Sequence, residues 1–375
     1  MANINQLPYQ KIHNNKNTNK IAHFLLKKVK KFLKERCPYH YLIFARQDKR
    51  LLYIQKMSRK YKYFLKLDIE KYYPSISHQI LIITLERILK SRRGKAMLKT
   101  NIIPFLNKTG FQNRGLPLGN YLSYVLAGIY LLPLDIKLIK LNIPFLRIQD
   151  DYLIFCKNKK EPTKILKEFI EPTLNELKLN ANINKLNSGK FHQNPVEFMG
   201  FRYYAGIFTI SEEKIEDFKK KIIRITHLTK NKPTKAIIKQ LNNKILGFGH
   251  YYKFASSKQD FEELDAFIRM RLRRYLNRNK DSKNKQGNLL LTNEILKNMG
   301  LKSLIDIYTK YASKKRLILK KSIKKKAKNG NKLSPVIQLK SFKQVDSTLL
   351  LAIFKELKGI TKKLKQLEKK REEKQ

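Results

Sequence analysis

Apolar positions recur along this chain with two different periods. Over residues 21–36 (IAHFLLKKVKKFLKER) they return every three or four places, which predicts an amphipathic helix with a basic face after a polar arm over 1–20. Residues 41–55 (YLIFARQDKRLLYIQ) read as two short strands about a Gln-Asp-Lys turn, and 61–70 (YKYFLKLDIE) as a strand ending in acid. Residues 75–100 have helical spacing, as does the mostly apolar stretch 116–142 that follows the punctuation of RGLPLGN. Residues 144–157 (PFLRIQDDYLIFCK) predict a hairpin with Asp150 and Asp151 at its turn. A helix over 161–180 and short Phe- and Tyr-rich strands over 196–210 complete a β-α-β-β-α-β alternation. It predicts an α+β fold, a split α/β sheet with helices on one face. From about residue 213 the pattern changes to long basic helices, 213–228, 233–254 and 259–279. A polar linker, an apolar helix near 292–312, the run KKRLILKKSIKKKAK and a last helix over 346–375 follow, with no internal repeat.

Charge narrows the function classes. Of 375 residues, 82 are Lys or Arg and 29 are Asp or Glu, a formal net charge of +53. Such an excess repels itself unless a polyanion neutralises it, and nucleic acid is the natural counterion. A membrane surface is the weaker option, because no lipidation signal is present. An AT-rich genome would account for much of the Lys, Ile and Asn, but not for the scarcity of acid. Apolar residues at 42%, with 19 Tyr and 20 Phe, exclude wholesale disorder. The length predicts two to three domains. Cys37 and Cys156 lie too far apart in sequence for a disulfide framework or a zinc cluster, which points to a reducing compartment. No run of 18 apolar residues predicts a membrane span, and the polar N-terminus lacks the apolar core of a secretory signal.

The acidic residues carry the candidate chemistry. Asp68 ends the strand YFLKLD, and Asp150 and Asp151 occupy a turn about 80 residues later. Carboxylates at adjacent strand ends can converge on a hard cation, above all Mg2+, and two such ions can serve the attacking and leaving oxygens of phosphoryl transfer. An isolated Asp-Asp pair is more often a solvated turn. Here apolar residues flank both acidic sites in an acid-poor chain, which favours function.

FLKLDIEKYYPSI resembles the first palm motif of reverse transcriptases. RGLPLGNYLSYVLAGIYLLPLD resembles their second, substrate-facing motif, down to the Leu-Asp at the helix end. FLRIQDDYLIF resembles the double-Asp hairpin, and KLNANINKL followed by VEFMGF resembles the fourth motif and the primer-grip turn. The order and spacing hold across roughly residues 60–205. LNNKILGFGHYYKF and FEELDAFIRMRLRRYL resemble the thumb of group II intron maturases and related bacterial enzymes.

The resemblance implies roles. Asp68, Asp150 and Asp151 would be the catalytic metal ligands, with the Ile69 carbonyl as a further ligand. Tyr73 would be the aromatic steric gate against a 2′-hydroxyl, unless it packs in the core with Tyr72. Lys185 would sit near the leaving pyrophosphate as a general acid. Leu118 and Gly119 would face the incoming nucleotide, Leu118 being alternatively a core residue behind the Gly119 turn. Arg46, Lys49 and Arg50, on the early hairpin, would hold the triphosphate, a plain solvated face being the alternative. Phe198, Met199 and Gly200 would form the primer grip, where a tight turn brings backbone to the primer end. Lys244, His250, Tyr251, Arg269, Arg271, Arg273 and Arg274 would contact a duplex backbone, the alternative being a bundle with an ordinary basic exterior.

Several positions depart from the family. The usual aromatic two residues before the double Asp is Ile148, and the Gln that many members place before the motif glycine is Leu118. Diversity-generating retroelement enzymes and several defence-associated relatives are also aliphatic there; their following Ser-Gln is Ser123-Tyr124 here. The implied fold is a right-hand polymerase with an α/β palm, short fingers, a helical thumb and a basic C-terminal extension. Residues 1–60 would form the arm and abbreviated fingers, 61–212 the palm with inserted fingers elements, 213–280 the maturase-like thumb and 281–375 the extension. The implied activity is RNA-directed DNA polymerisation from dNTPs with two Mg2+ ions. Its expected partners are an RNA template, foremost a dedicated noncoding RNA, a DNA or RNA primer and the cDNA product. An accessory protein or a homo-oligomer is a further expected partner, and no membrane is. With no Cys/His nuclease module after the thumb, the chain best resembles cytoplasmic bacterial enzymes of antiphage defence. Diversity-generating retroelement enzymes come next, and template-independent or protein-primed synthesis and a non-catalytic maturase-like RNA-binding role stay open.

Overall fold

The structure, a computed structural model, describes residues 16–35, 46–109, 113–227, 233–277 and 291–313. The first predicted strand as far as residue 45, the polar linker NRNKDSKNKQGN beyond Asn277, the basic run and the last helix over 346–375 lie outside the described residues. The chain divides into two compact units. The first holds Met1–Met199 and Tyr204–Gly206, and the second Gly200–Tyr203 and Ile207–Gln375.

In the first unit, helix α1 (Lys16–Lys34) buries Ile21, Ala22, Leu25, Val29 and Leu33 along one stripe and turns its lysines outward. Helix α2 (Gln47–Lys60) replaces the two strands expected over 41–55 as far as the described residues reach. Leu51, Ile54, Met57 and Ser58 fall on one buried face at helical spacing, and the Gln-Asp-Lys segment expected as a turn is the helix's first turn. Asp48 there meets the positive end of the helix dipole. Strand β1 (Tyr63–Leu67) leads through a short helix α3 (Tyr72–Ser75) to α4 (His78–Ile88), α5 (Arg92–Met97) and α6 (Ile103–Thr109). The apolar stretch 116–142, expected as one helix, is two: α7 (Tyr121–Tyr130) and α8 (Leu132–Lys140). The break at Leu131 puts Pro133 in the first turn of α8, where its missing N–H costs no hydrogen bond. Tyr121–Lys140 is long and apolar enough to cross a membrane by composition alone, yet 67% of it is buried, with α1 packed against α7.

Strands β2 (Phe145–Ile148) and β3 (Asp151–Cys156) form the expected hairpin. Helices α9 (Glu161–Ile165) and α10 (Glu171–Glu176) and strand β4 (Asn187–Lys190) follow. A π-helical turn, Leu166–Ile170, precedes Pro172, and another, Leu98–Ile102, precedes Pro104. A proline cannot donate to the turn before it and crowds its carbonyl, so the helix widens there. The sheet order is β2-β3-β1-β4, antiparallel throughout. Both faces of this sheet are covered, not one. Leu65, Leu67, Tyr152 and Ile154 face the main helical core. On the other face Phe155 stacks on Phe191 with ring centroids 5.7 Å apart, and Tyr53 of α2 meets Phe155 edge-on.

Strands β5 (Val196–Phe198), β6 (Phe201–Tyr204) and β7 (Ile207–Ile210) make a second sheet. The second unit continues with α11 (Glu212–Ile225), α12 (Thr234–Tyr252) and α13 (Lys258–Leu276), with α11 packed on both others. The single helix expected over 292–312 is interrupted. Helix α14 (Asn293–Asn298) ends at Gly300, whose φ is +90°, and α15 (304–313) restarts. Buried Asp265 accepts hydrogen bonds from the Leu304 and Ile305 N–H groups at 2.8 and 3.1 Å, capping the new helix.

Candidate active site

Strand register brings the three aspartates together. Leu67 pairs with Tyr152, so one step further along the antiparallel ladder Asp68 comes opposite Asp151. Ile148 pairs with Asp151 across the β2–β3 turn, which leaves Gln149 and Asp150 as its two central residues. Gln149 has φ 55°, a left-handed conformation rare for a residue with a Cβ. Burial is the main reason the Asp150 pKa is raised; its own backbone N–H opposes this, and the Asp68 carboxylate adds to it. Burial lifts Asp151 further, to about 7, against the pull of Lys66 and with the push of Asp68 and Asp150. Lys185, at the end of a 3-10 turn (Ile183–Lys185), forms a 3.0 Å ion pair with Asp68 Oδ2. That hydrogen bond raises the Lys185 pKa, so its ammonium is charged at neutral pH.

The donor set suits a hard cation. Asp151 Oδ1 is buried without a hydrogen-bond partner, the Lys66 ammonium standing 4.0 Å away. Ile69 bridges Ala181, but the bonds flanking that bridge run from Asn182 N–H to the Asp68 carbonyl and from Glu70 N–H to the Asn180 carbonyl. The bridge therefore leaves the Ile69 carbonyl unused. Among the described residues no group of three His, Cys, Asp or Glu side chains is placed to hold a metal ion, so Asp68, Asp150 and Asp151 neighbour one another without converging on one point. Three carboxylates with an orphaned buried oxygen fit Mg2+, which takes few protein ligands and keeps sites for phosphate oxygens.

Around this centre the two tyrosines of the first motif separate. Tyr72 is core: its hydroxyl donates to the Ala127 carbonyl, and burial holds its pKa well up. Tyr73 is half-buried, and its pKa is pushed up to about 12 by burial, then by Asp150 and Tyr124. Its hydroxyl thus lies within electrostatic reach of Asp150 and Tyr124. Gly119 has φ +82°, and Asn120 caps α7 by accepting from the Leu122 N–H at 2.8 Å. Leu118, just before that glycine, is 48% exposed, so it is not a core residue.

Other predicted residues stand differently. Arg46, Lys49 and Arg50 lie at the start of α2, not on a hairpin, because the apolar spacing there is helical. The Arg46 guanidinium is held by Asp48 at 2.9 Å. The turn between β5 and β6 has Met199 at φ 57° and Gly200 at φ 72°, as a two-residue hairpin loop requires. A Cβ at Gly200 would come within 2.5 Å of the Tyr252 hydroxyl. Phe198 is buried, so only the turn itself is presented. On the helices of the second unit Lys244, His250, Tyr251 and Arg274 are exposed. Arg269 is half-buried. Arg273 donates to the Leu291 carbonyl and Asn293 Oδ1, both at 2.7 Å, and Arg271 donates to Thr226 Oγ1 at 3.2 Å. Both arginines hold their own fold.

Three groups near the carboxylates had gone unassigned. Lys66 lies two residues before Asp68, on the same face of the strand. Asn182 donates to Asp68 Oδ2 at 3.3 Å. Arg147, beneath the turn, forms a buried ion pair with Asp135. The run NANINK and the strand alternation could have marked the first two. In so basic a chain, nothing marks Arg147.

Residues 11–203 match the family model described as reverse transcriptase (RNA-dependent DNA polymerase), and residues 215–290 match the group II intron maturase-specific domain. The chain belongs to the reverse transcriptase family, and its four-stranded sheet with the helices on it is the palm of that right-hand polymerase fold. No curated protein matches the chain. Solved structures similar to it include apo telomerase from Candida tropicalis, at 14% identity and a TM-score of 0.44, covering 77% of this chain and 52% of that one. Telomerase from Candida albicans in complex with a fragment of telomeric RNA is another, at 12% identity and a TM-score of 0.41, covering 75% and 54%. The chain spans about half the length of these structures.

Proposed function

We propose that the chain is an RNA-directed DNA polymerase that extends a primer from dNTPs. The observation that carries this reading is the strand register that brings Asp68 to Asp151 beside the Asp150 turn, in a member of this family. Asp68, Asp150, Asp151 and the Ile69 carbonyl would hold Mg2+, which when bound supplies positive charge to the phosphoryl oxygens and activates the primer hydroxyl. Lys185 Nζ, kept protonated by Asp68, gives its proton to the leaving pyrophosphate. The Tyr73 ring excludes a 2′-hydroxyl from the sugar pocket, and Leu118 and Gly119 line the nucleotide site. Met199 and Gly200 bring backbone to the primer end. Lys244, His250, Tyr251 and Arg274 contact phosphates without reading sequence.

Primer extension on a defined RNA template tests this. The native chain should incorporate dNTPs and Asp150→Asn should not, while the variant keeps its fold and its RNA affinity, because one lost carboxylate weakens metal binding and removes transition-state stabilisation. Full incorporation by Asp150→Asn would sink the catalytic assignment. A second reading, RNA binding without synthesis, is favoured by the maturase-specific match over 215–290; RNA binding by a native chain that never extends a primer would select it. For the biological setting we propose antiphage defence in a bacterial cytoplasm, with a dedicated noncoding RNA as template. The aliphatic Leu118 supports it. Phage plating on cells carrying the native or the Asp150→Asn gene tests it, and equal plating would count against it.

A further inference from the structure

The turn that carries Asp150 is strained, and something must hold it. Gln149 sits at φ 55° without being glycine, a state that persists only where the surroundings over-determine it. Two bonds reach the residue. Its carbonyl accepts from Arg147 Nη1 at 2.9 Å, and its side-chain Nε2 donates to the Tyr124 carbonyl of α7 at 3.3 Å. Arg147, two residues back on β2, is buried to its tip. Its Nε donates to Asp135 Oδ1 and Oδ2 at 2.9 and 3.0 Å, and its Nη2 donates to the Gly128 carbonyl at 3.0 Å and to Asp135. Asp135, fully buried on α8, also accepts from the Tyr152 hydroxyl of β3 at 2.9 Å. Burial works against the Arg147 charge, but Asp135, Tyr152 and Tyr72 together outweigh it and the guanidinium pKa lies above its ordinary value. One planar fork thus ties α7, α8 and the hairpin to a single carbonyl in the catalytic turn. A lysine, with a point charge on a flexible stem, could answer Asp135 but not all three acceptors at once.

We infer that Arg147, oriented by Asp135, is a positioning residue that pins the Gln149 carbonyl and so fixes where Asp150 presents its carboxylate. The inference rests on the polymerase reading for its consequence, and on the hydrogen bonds alone for its geometry. A buried ion pair that only stabilised the core would bond Asp135 and stop there. This one reaches past its partner to the strained residue next to Asp150.

Two variants separate the roles. Arg147→Lys keeps a charge for Asp135 and loses the fork. The double variant Arg147→Met with Asp135→Leu removes both charges, an exchange that buried pairs often tolerate without loss of stability. Circular dichroism of the full chain establishes folding. Calorimetry with Mn2+ alone then reads the metal site, and primer extension reads kcat and KM for dNTP. A folded Arg147→Lys or double variant should bind Mn2+ about tenfold more weakly and show kcat reduced about 10- to 100-fold with KM within about threefold, since a 1 Å misplacement can cost about 100-fold. Tyr152→Phe, which keeps the fork, should stay within about twofold of the native chain in both. If the native chain does not polymerise, weakened Mn2+ binding by the variants still supports the positioning role, and only the polymerase reading fails. A folded variant with native Mn2+ affinity and native kcat overturns the inference. So does the failure of both variants to fold, since Arg147 is then a structural residue.

Discussion

Replacing Asp151 with Asn should stabilise the metal-free chain above neutral pH and do nothing for it in acid. Burial, opposed by Lys66 and reinforced by Asp68 and Asp150, lifts the Asp151 pKa to about 7. In the unfolded chain the same carboxyl titrates at about 3.9. Below that value both states hold the proton and the site costs nothing. Between about 4 and about 7 the unfolded chain gives up its proton while the folded chain keeps it, so stability falls as pH rises; above about 7 the whole cost stands. About three pH units at 1.36 kcal/mol each make about 4 kcal/mol. The 27% of the side chain that reaches water screens this to about 2 kcal/mol. For a unit of this size that is about 4–8 °C in Tm. The assay is the melting difference between Asp151→Asn and native chains, followed by circular dichroism in EDTA at pH 4 and pH 8. It should be near zero at pH 4 and about +4–8 °C at pH 8. Millimolar Mg2+ at pH 8 should raise the native Tm and leave the variant's unchanged, because the cation takes over the repelling charges. The reasoning is refuted by a difference of the same size at both pH values, or by a variant that melts below the native chain at pH 8 in EDTA.

Three further outcomes follow from the site. Tyr73→Ala should raise the rNTP/dNTP ratio of kcat/KM, since the ring beside Asp150 is what would meet a 2′-hydroxyl; an unchanged ratio makes Tyr73 packing only. Lys185→Gln should move two readouts in opposite directions. Loss of an exposed ion pair of about 0.2–1 kcal/mol frees Asp68 and tightens Mn2+ binding up to about fivefold, while loss of the acid lowers kcat about 10²- to 10⁴-fold; weaker Mn2+ binding would contradict the competition between ammonium and cation. Leu118→Gln should lower misincorporation on one defined RNA template about fivefold, the worth of one added hydrogen bond of about 1 kcal/mol, and equal accuracy at equal activity would remove Leu118 from fidelity.

The acids of the candidate site stand out in the chain because each lies in a recognisable local context. An acid at the end of an apolar strand, and two acids between two apolar runs, are visible in a chain with so few acids; the β2–β3 hairpin is local, but the pairing of β1 with β3 that brings Asp68 to Asp151 is a long-range contact. Helix α2 was not readable in the same way. The apolar pairs Leu51-Leu52 and Tyr53-Ile54 suit a short strand as well as a helix, and what decides is burial of Leu51, Ile54 and Met57 on one side, a tertiary fact. The break between α7 and α8 was signalled by Pro133 but hidden by unbroken apolar sequence. The cover on both sheet faces was legible only faintly, in Phe64 and Leu65 being apolar in succession.

Basic residues resist reading most of all, since their density hides two populations. Arg147, Arg271 and Arg273 donate to carbonyls and hydroxyls of their own chain, and Lys185 and Lys66 face Asp68 and Asp151. Each of these already has a partner in the fold that a phosphate would have to displace. Lys244, His250 and Arg274 are exposed and are the ones a nucleic acid would meet first. Counterion release depends on the phosphates neutralised, not on net charge, so among the described residues the salt dependence of binding should reflect the second population more than the first. The formal charge of +53 already subtracts the acids that Arg147, Lys185 and Lys66 face, so what separates the two populations is the geometry each cation can offer, set by whether it already has a partner in the fold.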